Sequence, residues 1–165
     1  HEKDNLLSRR NQILMKTFAE LNVGDEFYSE CTITSPELDA YLKFSGIKNI
    51  IYDDIKSDKE KRMVSGRAIL SKMEGEFTRQ EQMYGNLLIF YGIDGDPEWK
   101  NRQTRFLKPL YTGERLKIKF RISDKREISE AIGLIAVDFE GTNQEGKTVV
   151  VSKKNLYQMK LDFKQ

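Results

Sequence analysis

The sequence predicts an α+β domain built on one antiparallel sheet with its helices on one face. Three observations predict it. Two helical patterns, over 35–46 and 67–83, follow one another in the first half of the chain. Almost everything after Asn86 has strand character. The last strands are joined by short turn sequences with no room for crossover helices, which is how antiparallel neighbours connect.

Taken in order, residues 1–20 show near-helical spacing of Leu6, Leu7, Ile13, Leu14 and Phe18, and are read as a helical arm ahead of a single domain over 21–165. Val23-Gly24-Asp25-Glu26 reads as a turn, and Phe27 to Thr34 as a strand. Ser35-Pro36-Glu37 is a helix start: Ser35 is the expected cap, Pro36 suits the first turn, and Glu37 complements the dipole. Leu38, Tyr41, Leu42 and Phe44 form its apolar stripe, and Ser45-Gly46 stops it. Ile47 to Ile55 has no firm assignment, and Lys56 to Arg62 reads as a solvated charge run.

Ser65 is the expected cap of the second helix, in which Leu70, Met73 and Phe77 share a face and Lys72 can pair with Glu76. Asn86 to Ile93 is expected to be a buried apolar strand, followed by a turn at Asp94 to Pro97 and a short strand at Gln103 to Leu107. Arg115 to Ile122, Ile132 to Thr142 and Lys147 to Leu161 are read as three long strands. Asp124–Glu130 and an Asn143–Gly146 turn connect them.

Composition narrows the function classes. The 165 residues carry 28 Lys and Arg against 26 Asp and Glu, a net charge of +2, so a dedicated nucleic-acid binder is not expected. The only cysteine is Cys31, which excludes an intrachain disulfide and argues against a cysteine metal site. The only histidine is His1, so a histidine triad, metal cluster or general base is all but excluded. No apolar run approaches the roughly 20 residues that span a bilayer, and no stretch reads as a signal peptide. A cytoplasmic protein without metal or membrane partners is the expectation.

Several motifs resemble those of the MaoC-like hot-dog proteins. They are Val23-Gly24-Asp25-Glu26-Phe27, then Thr34-Ser35-Pro36-Glu37 leading to Phe44-Ser45-Gly46. The run from Phe106 through Pro109 and Gly113-Glu114 to Leu116 is similar to the family's F-x-x-P-x-x-x-G-D-x-L stretch, and Asn143 to Gly146 to its N-x-x-G hairpin. The resemblance covers roughly residues 20–161. It implies a hot-dog fold, a long sheet wrapped around a central helix with two units pairing, and enoyl-thioester hydratase or dehydratase chemistry on coenzyme A or acyl-carrier substrates. No cofactor is implied beyond the coenzyme A of the thioester itself.

The family's water-activating G-D-x-N-P-x-H segment is not intact here. Aligned on Gly46 and Asn49, its Asp position is Ile47 and its His position is Tyr52. Ile cannot move a proton, and Tyr, with a pKa near 10, is a poor base at neutral pH. Tyr at that place is similar to non-catalytic MaoC-like subunits that pair with an active partner. The resemblance also implies that Gly66, behind Ser65, offers its backbone N–H to the thioester carbonyl.

Each of these positions has a plainer role beside the functional one. Gly66 serves either close packing or carbonyl binding. Tyr52 is a core aromatic or an acid. Asp53 and Asp54 are loop residues or water holders, Asn49 makes a turn bond or orients a ligand, and Ser65 is a cap or a substrate-binding residue. Arg102, Arg105 and Lys108 either meet the phosphates of coenzyme A or are solvated, and Trp99 anchors an edge or lines a mouth.

Three functions follow. The first is a degenerate acyl-thioester-binding subunit, alone or beside an active MaoC-like partner. The second is an active hydratase or dehydratase using Tyr52, Asp53 or Asp54. The third is a ligand-free scaffold domain. Under all three, long strands with open edges call for a second chain, like or unlike.

Overall fold

The computed structural model describes residues 14–52, 61–94 and 103–161. Five strands lie in the spatial order β1 (Glu26–Thr32), β4 (Arg115–Glu127), β5 (Ile132–Thr142), β6 (Thr148–Lys160), β2 (Leu88–Ile93), and a short β3 (Thr104–Phe106) also pairs with β6. Every pairing is antiparallel. Helix α1 (Ser35–Ser45) and the central helix α2 (Gly66–Thr78) complete the expected α+β hot-dog architecture.

The core forms where one face of the sheet meets α2. Leu116, Ile118, Phe120 and Ile122 alternate along β4 and are buried, while the residues between them are more exposed. Phe77, fully buried on α2, meets Phe120, Phe139 and Tyr157 at ring-centroid distances of 5.4, 5.7 and 5.3 Å. One helical aromatic thus touches three adjacent strands, a tilted-ring arrangement that fixes the helix on the sheet.

Helix α1 starts one residue earlier than expected. Thr34 is the cap: the Glu37 N–H donates to its hydroxyl at 3.2 Å, and its own N–H donates to the Glu37 carboxylate at 3.1 Å. This reciprocal capping box leaves Ser35 as the first helical residue. The Thr34 N–H and hydroxyl, then Lys72, hold the Glu37 carboxyl below the usual carboxylate range. Gly46 closes the helix in the left-handed region, φ 71°, donating to the Leu42 carbonyl, as its sequence position implied.

Other boundaries shift for identifiable reasons. Helix α2 ends at Thr78 rather than Met83, and residues beyond it turn back through Gln80–Tyr84. Lys72 pairs with Glu37 of α1 at 3.2 Å, not with Glu76, whose carboxylate accepts from Ser29 of β1 at 2.6 Å. Tertiary partners outcompete the i, i+4 neighbour because they are already held in place. β4 continues through 124–127, past a register shift after Ile122, where a connection was expected. Of the expected arm, 1–13 lie outside the described residues. Residues 17–21 form a turn rather than a helix and bury Phe18 and Leu21.

The largest departure is β2. Its apolar run was expected to be buried, yet Ile89, Phe90, Tyr91 and Ile93 are all exposed, by 48% or more. β2 ends the sheet, and its only strand partner among the described residues is β6.

Candidate functional site

The start of α2 is where the sequence placed its functional glycine. Ser65 occupies the N-cap position and is 3% exposed, but its side chain makes no capping hydrogen bond. The first N–H groups of a helix have no partner within it, and the Ser65 side chain supplies none. The macrodipole adds a partial positive charge of about half a unit at this end. A carbonyl oxygen with partial negative charge suits such a place.

Gly66 is explained by contact. A Cβ built on it would stand 2.7 Å from Phe106 Cζ and 2.9 and 3.0 Å from the adjoining ring carbons. The close-packing role is therefore present. It leaves the backbone N–H, and so the binding role, where it was.

Phe106 sits on β3 opposite Val150, and its neighbour Thr104 places its hydroxyl 2.8 Å from that of Ser152. Both therefore face α2, and Arg105 between them faces away from it. Arg105 and Lys108 are exposed, and Arg105 does not converge on the Gly66 site.

The segment after α1 is organised by an unexpected residue. Arg62 was read as part of a solvated charge run, yet it is 8% exposed. Its Nη1 donates to Ser35 Oγ at 2.9 Å and to Asp39 Oδ1 at 2.7 Å, and its Nη2 donates to the Tyr52 carbonyl at 2.6 Å. Its own backbone exchanges hydrogen bonds with Thr112. One guanidinium therefore joins α1, the 3₁₀ turn at Ile50–Tyr52 and the chain leading into α2. The signal missed was position: Arg62 directly precedes the apolar pair Met63-Val64.

Asn49 accepts the Ile51 N–H on Oδ1 at 3.1 Å, the turn bond of its plainer role. Ile47 donates its N–H to Ser45 Oγ and is partly buried. Tyr52 is partly buried too, and is tied down through its carbonyl. Asp53, Asp54, Trp99 and Arg102 lie outside the described residues, as do 95–97 of the expected turn.

A second polar pair also escaped the sequence. Tyr157, 2% exposed on β6, donates its hydroxyl to Glu74 of α2 at 2.7 Å. Burial, then that carboxylate, pushes the phenol far up, so it stays protonated. Neither residue carried a motif. Among the described residues, no cluster of three His, Cys, Asp or Glu could hold a metal.

An open depression of about 600 Å³ lies on the face of the sheet away from α2, lined by Tyr28, Glu30, Lys117, Lys119, Glu140 and Thr142. Its charges largely answer one another: Arg115 pairs with Glu30 at 3.2 Å and Lys119 with Glu140 at 3.6 Å. This is a solvated cross-strand ladder.

Cys31, half buried on β1, has its thiol pushed up to about 11, by burial first and then by Glu76. At pH 8 only about one in a thousand is thiolate. Iodoacetamide should alkylate the folded chain about tenfold or more slowly than the urea-unfolded chain, even allowing for the greater nucleophilicity of a high-pKa thiolate. Equal rates would show that the thiol is not held this way.

Comparison with solved structures places this architecture. A monoamine oxidase regulatory protein from Archaeoglobus superposes with a TM-score of 0.71 at 17% identity, covering 90% of this chain and 97% of that one. The R-hydratase PhaJ1 from Pseudomonas aeruginosa gives 0.65 at 19% identity over 90% and 92%. A MaoC-like dehydratase from Rhodospirillum rubrum gives 0.64 at 12% identity over 89% and 99%. Likeness at these identities establishes a shared fold. No protein-family profile and no curated protein sequence matches the chain. No helix among the described residues is long and apolar enough to cross a membrane.

Proposed function

We propose that this chain is a MaoC-like hot-dog protein that binds an acyl thioester at the start of α2 and does not itself hydrate it. The observation that carries the reading is the N-terminus of α2, which has no side-chain cap. Its backbone donors remain for a ligand oxygen, and such donors act whatever the side chains are. The fold shared with an R-hydratase and a MaoC-like dehydratase supports an acyl-thioester-related ligand. Ile47 and Tyr52 argue against hydration, since neither supplies a carboxylate or an imidazole.

The partner in this reading is a second hot-dog unit docked along β2. That strand presents Ile89, Phe90 and Tyr91 beside backbone groups with no strand on their far side among the described residues. An apolar open edge is a template for another strand. The partner is a second copy or an active subunit that supplies the acid–base pair.

Binding and turnover are tested together. The purified chain should gain thermal stability with butyryl-CoA and leave crotonyl-CoA unhydrated over hours. Clear turnover by a preparation free of other hydratases would remove the non-catalytic half. Absence of any shift would favour the scaffold reading, for which the Phe106 ring against Gly66 is the one favourable observation.

A further inference from the structure

We propose that the end of α1 and the 3₁₀ turn behind it form a surface that docks the protein on an anionic lipid bilayer. Docking there does not depend on thioester binding. That no helix among the described residues can cross a membrane does not bear on contact at the bilayer surface.

Phe44 belongs by spacing to the apolar stripe of α1, yet it is 89% exposed. Ile50 and Ile51 follow it on the 3₁₀ turn at 73% and 50%. Exposure this high means that little protein touches the Phe44 ring, which projects into solvent. A protein partner would need a pocket to receive it, whereas a bilayer accepts a projecting apolar side chain without one. Three side chains also cover well under the roughly 800 Å² that a stable protein interface buries on each side.

Charge separates this surface from the edge at β2. Residues 84–93 hold no charged residue, as suits the core of a protein interface. Residues 42–52 hold Lys43 and Lys48 and no acid. Both lysines are exposed, and neither has an ion pair among the described residues. Lysine is depleted from protein interfaces, while apolar side chains interleaved with lysine suit an anionic headgroup layer. The lysine stems lie along the apolar region and their ammonium groups stay with the phosphates.

The backbone suits such a layer too. The Gly46 N–H donates to the Leu42 carbonyl at 3.0 Å and the Ile47 N–H to Ser45 Oγ at 3.2 Å. The Ile51 N–H donates to Asn49 Oδ1 at 3.1 Å and the Tyr52 N–H to the Asn49 carbonyl at 3.0 Å. These donors are satisfied from within and need no water when the side chains enter the headgroups. The Arg62 guanidinium, on the Tyr52 carbonyl at 2.6 Å, ties the turn to the domain, so contact costs little ordering.

The test is flotation of the full chain with vesicles of phosphatidylcholine alone and of phosphatidylcholine and phosphatidylglycerol in equal parts. The chain is expected to float with the mixed vesicles, far less with phosphatidylcholine alone, and less as salt rises. Phe44→Ser and Ile50→Ser should each lower the partition coefficient for the mixed vesicles about tenfold. Lys43→Gln combined with Lys48→Gln should remove the preference for phosphatidylglycerol. Tyr28→Ser, an exposed aromatic replaced on the outer face of the sheet, should change nothing. All these side chains are exposed, so the variants should fold, as circular dichroism will show. Failure of the natural chain to float, equal flotation with both compositions, or either serine variant at 44 or 50 floating as well as the natural chain overturns the proposal. So does an equal loss for Tyr28→Ser. Dissociation of a dimer by Phe44→Ser and Ile50→Ser, read by light scattering, would also overturn it and assign the surface to contact between copies.

Discussion

Replacing Arg62 by Met is expected to lower the free energy of unfolding by about 2–3 kcal/mol. The guanidinium is buried and spends three short hydrogen bonds on Ser35, Asp39 and the Tyr52 carbonyl. Losing it leaves a partly buried carbonyl and a partly buried hydroxyl without this partner. Two facts keep the cost below that of breaking a fully buried ion pair. The Asp39 side chain is 64% exposed and stays hydrated when its partner goes. The Arg62 Nε has no partner among the described residues, so methionine removes one unsatisfied donor as it removes the satisfied ones. Lysine should recover only part of the loss, because one ammonium cannot span both α1 and the 3₁₀ turn. Urea titration measures both variants. A midpoint unchanged for Met would mean that this clasp does not hold the segment.

Replacing Phe90 by Lys should dissociate the paired form. Phe90 stands half exposed on the open edge of the sheet, edge-on to Tyr157 at 5.6 Å. An aromatic at the middle of an interface strand is a hot-spot position, with a loss of about 2 kcal/mol or more on truncation, or about 30-fold in dimer dissociation constant. A charge there adds a desolvation cost. Light scattering behind size exclusion should give a mass near twice the 19.3 kDa chain for the natural protein, and the single-chain mass for the variant at the same concentration. A natural chain that is monomeric at tens of micromolar would point instead to an unlike partner, and aggregation in place of a defined dimer would contradict edge pairing.

The sequence and the structure agree where local chemistry decides. Gly46 had to end α1, because its left-handed backbone is open to glycine and strained for most others. The alternation along β4 could place Leu116 to Ile122 only on the core face. The readings that changed are those in which one residue type serves two environments. An apolar run such as 88–93 looks the same whether the domain buries it or another chain must. Arg62 looks like any charged neighbour until its partners, 10 to 27 residues away, are in place. The Tyr157–Glu74 bond, across 83 residues, has no local signature at all. The site was legible in part for the same reason. Ser65-Gly66 could be found from its motif, whereas the Phe106 ring packed against Gly66 comes from a strand 40 residues later and is visible only once β3 has paired with β6.

Amide chemical shifts followed through a titration with butyryl-CoA, with free coenzyme A as the reference, address the thioester directly. The account predicts that the thioester moves the N–H resonances of Gly66 and Arg67 downfield and that coenzyme A does not. It predicts accompanying changes in the Phe106 ring and little movement at Tyr28, Lys117 and Thr142 on the opposite face. Shifts confined to that opposite face, or the same shifts from coenzyme A without its acyl group, would contradict it.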